Sequence, residues 1–416
     1  MWKKTVSILA ALTLIAGVLA GCGSSSTSKS NNNSGSSSKK IVLKFAAQND
    51  NTPATKDVIA AFNKQSKKYK VEWVQMTNDS AQMHDQLLTS LSSGSSEYDI
   101  LSMDVVWAGE FAGAGYLVPI DQKMMDANMT KDQFNAGSMA SGNYEGKQYT
   151  LPFFPDLGIL YYRSDIVSKD DAAKLESGNY TYKNLGEMAA KYAGKGGTTN
   201  GFVYQSKQYE GLTVNVTEFT DHYKDIKGGL QTMYNFTKAA WAPKDLLNYM
   251  ESETVNSFVQ GKSVFARNWP YQYGTVKAGG EGVKIKIQDV GIAPLPNGGA
   301  VGGWLLGINK NSKHIEGAWE FMKFVAGKEG QKIMSTKGGY LPGYNALLND
   351  PAVQKENKML TMPGFQKALK TTIARPVSAK YNKVSDTIQI AAHKYLSTGK
   401  NLDDAAKTIQ DAVGKK

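Results

Sequence analysis

The stretch IVLKFAAQNDNTPATKDVIAAFNKQSKKYKVEWVQM, residues 41–76, decides the fold. Ile41 to Ala46 reads as a strand with apolar side chains at alternate positions, and Val71 to Met76 reads as another. Between them Thr52-Pro53 is a helix start signal, and Val58, Ile59 and Phe62 fall on one face of a helix over 53–67. The unit then repeats. Ser80 is placed to cap a second helix carrying Met83, Leu87, Leu88 and Leu91 and ending at Gly94, before a strand from Tyr98 to Met103. Strand and helix in alternation predict an α/β protein with a parallel or mixed sheet.

Downstream, NYEGKQYTL (Asn143 to Leu151) reads as a hairpin, and helical spacing returns at Leu185, Met188, Ala189 and Tyr192. Later helices carry Ile315, Trp319 and Met322, then Val384, Ile388, Ala391 and Tyr395, then Leu402, Ala405 and Ile409. Trp319 lies on an apolar helical stripe and reads as core. With 41% hydrophobic and 10% aromatic residues, the chain beyond residue 40 is long enough for two domains.

The first forty residues belong to a different class. A basic Met1-Trp-Lys-Lys is followed by an apolar run from Val6 to Leu19, too short to span a bilayer comfortably, so residues 1–21 read as an export signal. The run closes on Leu19-Ala20-Gly21-Cys22, which fits a lipobox whose cysteine is lipidated after cleavage; the alternative is a chance cysteine beside an ordinary cleavage site. Residues 23–40, GSSSTSKSNNNSGSSSKK, carry no apolar side chain and read as a tether. Cys22 is the only cysteine, which argues against disulfides, metal clusters and thiol catalysis.

The net charge of +11 is scattered, with acids interleaved, and reads as solubility and attraction to an anionic envelope rather than nucleic-acid binding. His84, His222, His314 and His393 have no neighbour at metal-ligand spacing. Gly261-Lys262-Ser263 ends like a phosphate loop, but Asn256 stands where the first glycine belongs, so it reads as a helix end and turn. No cofactor is expected and no catalytic residue is assigned. Paired carboxylates decide a glycosidase by their separation in space, so a secreted carbohydrate-active enzyme stays open as an alternative.

Aromatics and polar groups concentrate instead in MDVVW (103–107), LPFFPDLGILYYR (151–163), QYEGL (208–212), VFARNWPYQYG (264–274), GGWLLGI (302–308) and GGYLP (338–342), outside the amphipathic helices. A sugar site needs such composition: the C–H faces of a pyranose pack on aromatic rings, and each buried hydroxyl needs a donor or acceptor. Phe153, Tyr161 and Tyr162 read equally well as core. Trp269 and Trp304, flanked by glycine, proline and polar residues, favour a site.

The motifs LAGC, YDILSMDVVWAGEFAGAGYLVPID, LPFFPDLGILYYRSDI, ARNWPYQY, VGGWLLGINKNSKHIEGAWEFMKFV, GGYLPGYN and ARPVSAKYNKVSD occur in one order. Together they resemble the extracellular solute-binding lipoproteins of sugar ABC importers, specifically the trehalose/maltose-binding branch. The resemblance implies two α/β lobes joined by hinge crossings, a ligand cleft between them, and delivery of a disaccharide or short α-glucan to membrane permease subunits by a lipid-anchored monomer outside the cell membrane. It implies lobe one over 41–151 plus 302–342, and lobe two over 152–301 plus 343–416.

Carried over motif by motif, the implied ligand contacts are Asp104 with Trp107 nearby, Phe154 and Asp156, Tyr209 and Glu210, Trp269, Gly303 and Trp304, and Arg375. Tyr340 of GGYLP joins them, as do Asp50 of the first-strand loop with its neighbours Asn49 and Asn51, and Asn78 and Asp79. Two departures stand out. Phe154 occupies a position commonly tyrosine in this branch, with Pro155 expected to stiffen a loop beside it, and QNDNTP (48–53) does not follow the family pattern. A binding protein for a different sugar or glycoside is the alternative within the same family, and an adhesin or structural lipoprotein with no small ligand is the third reading.

Overall fold

The computed structural model describes residues 39–375 and 380–414. The expected export signal, Cys22, the expected tether as far as residue 38 and residues 376–379 of the ARPVS motif lie outside the described residues.

Eleven strands are present among the described residues: β1 Ile41–Gln48, β2 Tyr69–Met76, β3 Ile100–Asp104, β4 Asn143–Tyr144, β5 Lys147–Gln148, β6 Thr150–Leu157, β7 Ile159–Arg163, β8 Asn200–Val203, β9 Ser263–Asn268, β10 Val290–Ala293 and β11 Val301–Ile308. The expected βαβ unit is there. β1 pairs in parallel with β2 and β3, with helices Ala54–Gln65 and Ser80–Ser92 as the crossovers. The first sheet runs β2-β1-β3-β11-β6, and β11 is antiparallel to both its neighbours, so the sheet is mixed. The second sheet runs β10-β7-β9-β8, and β4 and β5 form the expected hairpin. Glu145 and Gly146 both take positive φ at its turn, the geometry of a two-residue hairpin loop.

Each sheet anchors its own core, which makes two lobes. Phe45 meets Phe153 and Phe321 edge-on at 5.6 and 5.2 Å on one face of the first sheet, with Trp319 buried beside them. Leu87, Trp107 and Leu305 pack on its other face. The second core gathers Tyr161, Tyr162, Phe202, Phe265 and Tyr395. Phe153, Tyr161 and Tyr162 are therefore core residues.

Two local expectations are corrected. Asp79, not Ser80, caps the second helix, accepting from the Gln82 backbone N–H at 3.1 Å. Pro155 is not in a loop: it lies within β6, which is the edge strand of its sheet, where the missing N–H leaves no ladder bond unmade. The register slips between Trp304 and Leu305, so that Trp304 pairs with Phe154 while Leu305 pairs with Pro152. Such a bulge re-aims side chains.

The chain passes between the lobes at Gly158, at 294–300 and near Tyr340. Gly158 and Gly299 allow two crossings to touch: a Cβ on Gly299 would lie 1.9 Å from Gly158 O, and one on Gly158 would lie 2.0 Å from Glu218 Oε1. Glu218 is fully buried there, accepting from Arg267 Nε (2.8 Å), Arg267 Nη2 (2.5 Å) and the Ala300 backbone N–H (3.0 Å). A buried pair disturbed in this way costs about 3–5 kcal/mol. Gly158→Ala should lose that much stability in urea unfolding. Gly109→Ala, whose Cβ meets nothing within 4 Å inside helix Ala108–Gly113, should stay within about 1 kcal/mol of the parent or exceed it. Equal midpoints for the two variants would refute the crowding argument.

Candidate functional site

Between the lobes lies an open cleft whose empty space, mouth and adjoining solvent included, is about 1050 Å³. Lobe one supplies Asp104 from the end of β3, Phe154 and Asp156 from β6, and Gly302, Gly303 and Trp304 from β11. Lobe two supplies Tyr209 and Glu210, Glu251, Trp269 and Tyr271, while Tyr340 comes from the third crossing and Arg375 from the segment that follows helix Pro363–Ala368.

Arg375 is buried and joins both lobes. Its Nη2 donates to Asp104 Oδ1 at 2.5 Å, its Nη1 to Glu210 Oε1 at 2.9 Å, and its Nε to the Val301 carbonyl at 3.2 Å. Glu210, at the start of helix Glu210–Phe219, also accepts from Tyr381 and Ser385 hydroxyls at 2.5 Å each. Burial pushes the Glu210 carboxyl above the usual range, and Arg375 opposes it.

Trp269 sits in a strand-to-helix turn that the sequence Asn268-Trp-Pro enforces, with Pro270 opening helix Tyr271–Ala278. Asn268 Oδ1 accepts from the Trp269 backbone N–H (2.8 Å), and the Tyr161 hydroxyl donates to the Trp269 carbonyl (2.9 Å). The Arg267 guanidinium lies 4.0 Å from the ring centroid, and the indole N–H points to Glu251 Oε1 at 3.4 Å. Gly302 leaves room for the ring edge: a Cβ there would lie 2.8 Å from Trp269 Cζ3. Opposite, Trp304 is braced edge-on by Trp107 at 5.4 Å. Phe154 stacks on Tyr340 at 4.3 Å, and the Tyr340 hydroxyl donates to Asp50 at 2.9 Å.

Asp156 is the exception among the carboxylates of this wall. It is 7% exposed, and its Oδ1 has no hydrogen-bond partner among the described residues. Burial raises its pKa well above the ordinary value, against the pull of Arg267 and Arg375. An unpartnered acceptor on a residue that lines a cavity calls for an explanation, and a donor on a bound ligand supplies one.

Of the residues expected from sequence, Asp50, Asn78, Asp104, Phe154, Asp156, Tyr209, Glu210, Trp269, Gly303, Trp304, Tyr340 and Arg375 line this cavity, with Asn49 and Asn51 at its rim. Two do not. Trp107 is buried behind Trp304, and Asp79 serves the helix cap. Asp50 lines the wall but its oxygens are occupied by Thr52 and Thr55, N–H and hydroxyl alike. Sequence reasoning missed Glu251, an acid in the first turn of helix Glu251–Val259 that resembles an ordinary dipole partner. It accepts from the Tyr209 hydroxyl at 2.6 Å, and burial raises its pKa. Tyr271 was passed over within the same aromatic stretch as Trp269. No metal-binding cluster of His, Cys, Asp or Glu occurs among the described residues.

The family model for bacterial extracellular solute-binding proteins matches residues 46–332. The chain belongs to that family. It is 29% identical over 357 residues to a probable ABC transporter-binding protein of Deinococcus radiodurans, covering 78% of this chain and 81% of the relative. It is 26% identical over 333 residues to the maltotriose-binding protein of Pyrococcus abyssi, covering 74% and 68%. Among solved structures, maltose-bound MalE3 of T. maritima superposes with a TM-score of 0.79 at 27% identity, covering 90% of this chain and 99% of that one. The solute-binding protein is thus a receptor rather than an enzyme.

The lobes also meet outside the cavity. His84, buried on helix Ser80–Ser92, has Nε2 3.1 Å from Glu110 Oε2 and Nδ1 3.2 Å from Asp85 Oδ1. Asn382, on helix Tyr381–Thr398, donates to the same Glu110 oxygen at 2.8 Å, and Asp386 of that helix also senses the charge of His84. Burial opposes protonation of His84, but the bonds to Glu110 and Asp85 outweigh it and hold its pKa above the ordinary value of 6.5. A raised folded-state pKa gives stability that is complete below 6.5 and is lost as the pH climbs through the raised value. The melting temperature of the parent should therefore exceed that of His84→Gln most at pH 6, with the gap narrowing towards pH 9. A gap that stays constant across that range contradicts the charged pair.

Proposed function

We propose that this protein captures a disaccharide or short α-glucan, of the maltose, trehalose or maltodextrin class, and hands it to the permease subunits of an ABC importer. One observation carries the reading: two tryptophans from opposite lobes, Trp269 and Trp304, share a cavity with a buried carboxylate, Asp156, whose acceptor is unmet. Aromatic faces suit the C–H surface of a glucose ring, and an unmet acceptor suits a hydroxyl. The similarity to a maltotriose-binding protein and to maltose-bound MalE3 supports the sugar class.

On this reading the protein acts as a monomer outside the cytoplasm, tethered by a lipid on Cys22 after removal of residues 1–21. The expected division, 41–151 plus 302–342 for lobe one and 152–301 plus 343–416 for lobe two, is moved at its first boundary to Gly158, because β6 lies in the first sheet and β7 in the second; the other boundaries are kept. Ligand favours the closed arrangement because contacts come from both lobes.

Calorimetric titration of the chain beginning after Cys22 with trehalose, maltose, maltotriose, sucrose and a non-glucose disaccharide tests the proposal, with product analysis of each mixture. Saturable binding of one α-glucoside without turnover is expected, near micromolar or about −8 kcal/mol. Trp269→Ala and Trp304→Ala should each weaken it by about 2 kcal/mol, roughly thirtyfold, through lost stacking area. Parent-like affinity in both variants would remove the site assignment, and absence of binding to every sugar would remove the ligand class.

A further inference from the structure

We infer that the cavity selects its saccharide by charge, admitting one that carries a protonated amine, with Asp156 as the counter-ion, and rejecting uronates and sugar phosphates. The inference rests on the sugar reading above and narrows it.

Among the described residues, those lining the cavity include five carboxylates, Asp50, Asp104, Asp156, Glu210 and Glu251, against one guanidinium, Arg375, and no lysine. Counted as formal charges that is an excess of four negatives (five minus one) in a chain whose net charge is +11, and burial, which raises the pKa of Asp156, Glu210 and Glu251, reduces the excess in the cavity free of ligand. The sign of the site therefore opposes the sign of the protein, so the excess is not inherited from composition.

The single cation is already occupied. Arg375 gives its N–H groups to Asp104, Glu210 and the Val301 carbonyl, so an incoming carboxylate or phosphate would find no free cation among the described lining residues and would stand beside acids that the one guanidinium only partly balances. The next guanidinium, Arg267, is locked in its bidentate pair with Glu218 behind Trp269. An anion moved from water into such a place loses hydration without replacement.

An ammonium meets the reverse situation. Asp50 is tied to Thr52 and Thr55, Glu251 to Tyr209, and Glu210 to Tyr381, Ser385 and Arg375. Asp156 alone keeps an oxygen with no donor, and it sits beside Trp269 and Gly302 where a ring substituent would lie. A hydroxyl satisfies this oxygen with one neutral hydrogen bond; an ammonium satisfies it with a charge-assisted one.

The experiment is a calorimetric comparison at pH 7 of the tightest neutral disaccharide from the panel above with its mono-amino derivatives at C2, C3 and C6 and with its C6 carboxylate and C6 phosphate. The best amino derivative is expected to bind within tenfold of the neutral parent or more tightly, and both acids at least a hundredfold more weakly than that derivative. Asp156→Asn should shrink the amine-to-acid ratio by tenfold or more. An acid bound as tightly as the best amine, or a ratio unchanged in Asp156→Asn, overturns the charge inference while neutral-sugar binding leaves the sugar reading standing. No binding in the neutral arm overturns both.

Discussion

A buried arginine needs more acceptors than either lobe alone presents, and the rest of the architecture follows from how Arg375 finds them. One carboxylate comes from the end of β3, one from the first turn of a helix in lobe two, and a carbonyl from the start of β11. Removing one charge of such a group strands the others in low dielectric, which costs far more than the pair contributes when complete. Asp104 and Glu210 would repel each other across the cleft without the guanidinium between them. The lobes can thus approach only with Arg375 in place, and its fixed fork sets where the two walls of the cavity stand.

Behind that fork, polar groups are satisfied in sequence from the crossings outwards. The Ala300 N–H reaches Glu218, Glu218 holds Arg267, and Arg267 lies under Trp269. The stacking surface is thereby joined to a segment through which the chain passes from one lobe to the other. Helix Glu210–Phe219 can bury Glu218 only because Arg267 arrives from β9, a partner 49 residues away. The close passage of Gly158 and Gly299 is the steric condition for the same arrangement.

Local periodicity carried much of this. The β1–helix–β2 unit, the short hairpin and the C-terminal helices are written in spacing of two or of three and four, and the structure has them close to where the pattern puts them. What spacing does not carry is long-range pairing. Nothing near Val301 announces that β11 inserts antiparallel between β3 and β6, although that insertion brings Trp304 opposite Asp104. Aromatic clusters marked the cavity but not which rings face it: Trp107 and Trp304 both stand among small residues, yet only packing against His84 and Phe111 draws Trp107 inward. Glu251 was invisible for the opposite reason, because an acid at a helix N-terminus is ordinary unless the rest of the fold buries it.

The same bonding explains why a cavity with five acids performs no hydrolysis. Glycoside cleavage requires two carboxyl groups free to exchange protons or attack, set on either side of the scissile bond. Here Asp104 is held by Arg375, Glu210 by Arg375 and two hydroxyls, Asp50 by two threonines, and Glu251 by Tyr209 and the Trp269 indole. Each of these oxygens is committed to holding a wall in position. Asp156 alone has an oxygen free to meet a ligand, and one carboxyl group can accept a hydrogen bond but cannot both protonate a leaving oxygen and activate a nucleophile. Binding and release are what remain to a site whose acids are structural members.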